Sequence, residues 1–130
     1  MNAGRVSILL AHALVGWALC DATTAIGLGV TTLDRVLVVH AIAAPVFFAA
    51  ISRVYFWRFH YTSPLATAIV FVAFVTLADF LVAALRINDS EALFGSLFGM
   101  WLPLAMIFVA TYLTGWLVVG RQKAVIHAPK

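Results

Sequence analysis

The sequence predicts an all-α integral membrane protein, a four-helix bundle of antiparallel up-down topology, on three observations. Hydrophobic residues make up 65% of the 130 and charged residues only 10%, far from the roughly 25% charged, 45–50% apolar balance of a soluble domain. Four apolar runs approach the ~20 residues an α-helix needs to cross a ~30 Å hydrocarbon layer, without the alternation of a barrel strand. The links between runs are short, and lipid offers exposed backbone no hydrogen-bond partners, so helices joined end to end are the economical solution. One transmembrane domain over residues 1–130 follows.

The first helix is expected over residues 6–30. Arg5 before an apolar stretch is how a signal peptide begins, but Leu19 is not the small residue that a lipoprotein site needs before Cys20, and the apolar run continues to Val30. The segment therefore reads as a spanning helix. Gly16, Cys20, Thr24 and Gly27 recur as a stripe of small residues, which lets another helix approach closely. Asp21 stands beside that stripe, with Trp17 and Thr24 a turn to either side. A carboxylate deep in a membrane helix costs about 2.5–3.5 kcal/mol on insertion scales, so Asp21 must face protein or water.

Thr31-Thr32-Leu33-Asp34 has the form of a capping box, with Asp34 in the first turn of a second helix over 34–57. That helix carries His40 and, just over a turn later, Pro45. Proline has no N–H and opposes the carbonyl of Ala41, so a kink and a freed carbonyl are expected. Tyr55 to Tyr61 mixes aromatic and basic residues, the composition of a membrane–water interface. Thr62-Ser63-Pro64 caps a third helix over 65–87, on which Thr76, Asp79, Ala83 and Arg86 share a face.

After the polar turn at 88–91, a fourth helix is expected over 92–119. It opens with Gly95 and Gly99 in the GxxxG spacing of close helix contacts, with Pro103 a turn later. The basic tail, 121–130, is expected to be loose. Arg5, Arg53, Arg58, Arg121, Lys123 and Lys130 fall on the side of the termini, against Arg35 and Arg86 on the other. The positive-inside rule then puts both termini of a multi-pass plasma-membrane protein in the cytoplasm. The net charge of +3, so distributed, points to the lipid bilayer and not to nucleic acid. The single Cys20 excludes the paired thiols of a redox relay.

A rise of ~1.5 Å per residue places Asp21 and Asp79 ~3–5 Å outside the midplane and His40 ~8 Å outside it. Three polar side chains from three helices thus share one layer, and the fourth helix brings Met100, Trp101 and Pro103 to about that depth. Two neighbouring carboxylates in low dielectric are expected to share a proton or hold a cation between them. His40 could complete a proton relay. Asp21, His40 and Asp79 could alternatively hold a divalent metal.

Arg86 leans back toward Asp79, so an ion pair that only fixes helix packing is the structural alternative. A bis-histidine haem site is disfavoured, because His12 and His40 lie roughly 17 Å apart along the normal. His40 with Met100 would be level, and His/Met is a known haem ligation.

In size, helix count and an acidic residue in its first helix, the chain resembles the small multidrug transporters. Asp21 is not their glutamate, however, no further motif is shared, and the cysteine pairs of small mercury carriers are missing. The leading expectation is a proton- or cation-linked transporter or channel for a small solute or ion, assembled as a homo-oligomer or within a larger membrane complex. Asp21, His40, Asp79, Arg86, Thr24 and Trp101 would form its site, and Gly16, Cys20, Gly27, Gly95, Gly99, Pro45 and Pro103 its helix contacts. The alternatives are an auxiliary subunit whose polar layer is helix glue, and a small metal-binding or redox protein, carrying a divalent metal or haem.

Overall fold

The computed structural model describes residues 1–86 and 100–129, apart from the side chains of 83, 84 and 86. Among the described residues it contains four long helices, α1 (Ala3–Val30), α2 (Leu33–Arg58), α3 (Pro64–Arg86) and α4 (Leu102–Ile126), and Met100 and Trp101, just before α4, are π-wound. All four are long and apolar enough to cross a membrane. This is the build of a multi-pass membrane protein. Its outer surface agrees: Ile42, Val46, Leu77 and Trp116 are each more than half exposed, and a coat of such residues suits lipid rather than water.

The helix ends have local causes. The side chain of Asn2 accepts from the Arg5 amide at 3.1 Å and caps α1. Ser63 Oγ accepts from the Ala66 amide at 3.2 Å, with Pro64 as the first residue of α3, as the Thr62-Ser63-Pro64 run predicts. The capping box at 31–34 does not form. Thr31 instead ends α1, its amide bonding to Gly27 O at 2.9 Å, and Thr32 is the N-cap of α2 without a side-chain cap bond. A link this short uses Thr31 to close one helix, so it cannot also open the next.

α2 spans Pro45 as one helix, as expected, and one further boundary differs from expectation. α4 continues past Val119 to Ile126, so most of the expected loose tail is helical. The expected start of the fourth helix, with Gly95 and Gly99, lies outside the described residues.

Contacts fix the relative directions of the helices. Along α1, Gly27, Thr24, Gly16 and His12 meet Val36, His40, Phe48 and Tyr55 of α2 in turn, so these two helices run oppositely. Gly115 of α4 meets Phe56 of α2, while Met100 to Ile107 lie beside His40, so α2 and α4 run the same way. The bundle therefore has an Arg5 end and a Thr31 end. Its aromatic core, Phe48, Tyr55, Phe56 and Phe71, is fully buried and fills the half toward Arg5. There Arg5 stacks over Tyr61, 5.0 Å from the ring centre.

The glycine stripe of α1 faces α2. A Cβ on Gly16 would stand 2.6 Å from the tip of the Phe48 ring, and one on Gly27 2.8 Å from Val36. Gly115 plays the same part on α4, against Phe56 and Pro64.

Candidate functional site

Toward the Thr31 end the described residues pack less closely. That end holds a cavity of about 180 Å³ lined by residues of all four helices. Asp21, His40 and Asp79 all line it, together with Trp17, Cys20 and Thr24, while Val75, Met100, Pro103, Leu104 and Ile107 supply apolar walls. Its volume suits several waters or one small solute. A shallower groove of about 370 Å³ lies outside α1 and α2, with His12 its only polar residue. It lacks the carboxylates on which any charge chemistry would rest.

The cavity's polar groups are held by bonds between helices. Trp17 Nε1 of α1 donates to Asp79 Oδ1 of α3 at 2.8 Å. Thr24 Oγ1 donates to the Cys20 carbonyl at 3.2 Å and so accepts from His40 Nδ1 at 3.1 Å. With the proton on Nδ1, a neutral His40 ring carries its lone pair on Nε2. Trp17 and Thr24 are seven residues apart on α1, or ~10 Å along the axis, with Asp21 between them. Asp21 lies within electrostatic reach of both His40 and Asp79. Titratable groups from three helices therefore line one cavity.

Among the described residues no three His, Cys, Asp or Glu side chains come together at metal-binding distance. The metal set Asp21, His40 and Asp79 therefore shares a cavity without converging, since Asp79 is drawn to Trp17 and His40 to Thr24. His40 and Met100 do line the same space, but it is below the ~300–1,000 Å³ of common cofactor pockets, and a haem would not enter it.

Of the other expected site residues, Thr24 lines the cavity, whereas Trp101 is 58% exposed and its neighbours Met100 and Pro103 line the cavity in its place. The side chain of Arg86 lies outside the described residues, and so does its pairing with Asp79. Thr76 bonds its own helix, donating to Val72 O at 2.8 Å. Sequence reasoning passed over Trp17. The available signal was its place one turn before Asp21 on the same face of α1, with an N–H that needs a partner inside a membrane.

Fold and site together define a class: a polytopic helical membrane protein with a mostly apolar cavity into which a few polar and titratable side chains face. No family model, curated protein or solved structure matches the chain.

Proposed function

We propose that this is a cytoplasmic-membrane protein, a single up-down bundle with both termini inside, that moves protons or a small cation, alone or coupled to a small solute. Asp21, Asp79 and His40 take up and release the charge. One observation carries the reading: two carboxylates and an imidazole from three helices line one cavity within segments apolar enough to span a membrane. Ionisable groups at such a depth are costly and mark ion or proton pathways by default. Neighbouring carboxylates favour sharing or exchanging protons over carrying two charges. A chain of four spanning helices has little wall to spare, so the working unit is an oligomer of this chain or a larger membrane complex.

The test is proton flux into vesicles that carry a pH-sensitive dye, with the particle mass and metal content measured on the same preparation. Wild-type protein should conduct above empty vesicles, and Asp21→Asn should keep its mass and lose the flux. Wild-type flux no greater than that of empty vesicles would refute the reading. The second reading, helix glue in an auxiliary subunit, is favoured by the bonds from Trp17 to Asp79 and from Thr24 to His40, both of which tie helices together. It predicts that Asp79→Ala dissociates or unfolds the protein and that no variant changes a flux.

A further inference from the structure

Between the cavity and the Arg5 end, the interior holds a second polar level. Ser52, Thr67 and Thr111 are the fully buried serine and threonines among the described residues, each with no exposed surface. They come from α2, α3 and α4. Each stands four residues, or ~6 Å of helix, from an apolar residue of the preceding layer: Phe48, Phe71 and Ile107. The two phenylalanines pack edge to face, 5.6 Å between ring centres, and Ile107 is also part of the cavity wall. Pro64 of α3 meets Gly115 of α4, and Asp79 of α3 meets Trp17 beside the cavity, so α3 runs opposite to α2 and α4 and its step from Phe71 to Thr67 leads the same way as theirs. All three hydroxyls thus lie one turn beyond the apolar layer, on the side away from the cavity.

Two of these hydroxyls break the habit of the others. Ser7, Thr23, Thr24, Thr67 and Thr76 each donate to the carbonyl four residues back. Ser52 Oγ and Thr111 Oγ1 are buried and have no hydrogen-bond partner among the described residues. A buried unpaired hydroxyl costs roughly 1–3 kcal/mol, which an alanine or valine would not incur. Thr67, in contrast, continues outward: Tyr55 Oη donates to Thr62 Oγ1 at 2.9 Å, Thr62 to Thr67 at 2.7 Å, and Thr67 to the Ser63 carbonyl at 3.0 Å. This chain of hydroxyls ends at the loop between α2 and α3.

We propose that Ser52 and Thr111 are relay positions that carry protons between the Asp21–His40–Asp79 cavity and the Tyr55–Thr62–Thr67 hydroxyl chain, with Phe48 and Phe71 as the barrier that excludes hydrated cations. The proposal rests on the proton-moving reading above and makes the proton its substrate. In each step a hydroxyl oxygen accepts the excess proton from a protonated water on one side, leaving neutral water, and releases its own proton to a water or hydroxyl on the other. One O–H bond forms as one breaks, and no electron is transferred. Rotation of the hydroxyl then resets the site. A hydrated cation needs the rings displaced, whereas a proton needs only a transient file of water past their edges.

The experiment compares proton and potassium flux in vesicles for wild type, Asp21→Asn and the double variant Ser52→Ala/Thr111→Val, with thermal stability measured alongside. The expected result is proton flux without potassium flux, and a roughly tenfold loss in the double variant, the effect of ~1.4 kcal/mol on a limiting barrier. Its stability should be equal or higher, since two unpaired buried hydroxyls are gone. A merely structural role for the hydroxyls would move stability and leave flux alone. Three outcomes overturn the proposal. Proton flux that falls in Asp21→Asn but not in the double variant removes the relay and leaves the cavity's role standing. Potassium flux equal to proton flux removes the barrier. Wild-type protein without flux removes the parent reading and the relay with it.

Discussion

The bond from Trp17 to Asp79 separates a functional carboxyl from a structural one, because two substitutions divide its parts. Trp17→Phe keeps an aromatic ring in place and deletes the N–H that reaches Asp79 Oδ1 at 2.8 Å. A hydrogen bond to an ionised carboxylate contributes about 1.5–3 kcal/mol and one to a neutral acid about 0.5–1.5 kcal/mol. Asp79→Asn does the reverse, keeping a carbonyl oxygen for the indole to donate to while removing the group that can carry a proton. The structure therefore predicts a loss of about 1–3 kcal/mol in Trp17→Phe, read by thermal or denaturant unfolding in detergent. Asp79→Asn should stay close to wild-type stability.

Flux should follow the opposite order, nearly abolished in Asp79→Asn and reduced in Trp17→Phe. A double-mutant cycle between Trp17→Phe and Asp79→Ala should return a coupling of about 0.5–3 kcal/mol, because the residues share one bond. Coupling near zero would refute the contact. Stability lost equally in Asp79→Asn and Asp79→Ala would refute the view that the carboxyl is held for its proton and not for its shape.

Three further outcomes follow from the packing and the caps. Gly16→Ala puts a Cβ 2.6 Å from the fully buried Phe48 ring, and overpacking of this kind should cost about 1–3 kcal/mol in unfolding experiments. Phe48→Leu in the same chain should recover part of that loss. His60 ends α2 with φ 45°, a left-handed conformation, so His60→Gly should raise stability by about 0.5–1 kcal/mol. Asn2→Ala removes the α1 cap and should cost about 0.5–2 kcal/mol, with faster amide exchange confined to the first turn.

The existence of the helices was legible from apolar run length, and Pro64 and Val30 marked real boundaries because proline and a polar link act locally. The capping box failed for a tertiary reason: with so short a link, Thr31 is already engaged by Gly27 O. Helix depth also carried information, since it put Asp21, Asp79 and His40 at comparable levels and they line one cavity. Depth says nothing about rotation around the helix axis. Hence Trp101 was grouped with the cavity that its neighbours Met100 and Pro103 line. Trp17, Ser52 and Thr111 were hidden for the same reason, because their significance lies in what faces them from other helices.

The central claim is that Asp21 and Asp79 exchange protons with water through the cavity. Infrared difference spectroscopy of the protein in lipid, across a pH titration in light and heavy water, reads this directly. The account predicts a carboxyl stretching band that changes with pH, shifts in heavy water, and loses a component in each of Asp21→Asn and Asp79→Asn. A spectrum without any titrating or exchanging carboxyl band would contradict it, and would leave the two carboxyls as sealed contacts between helices.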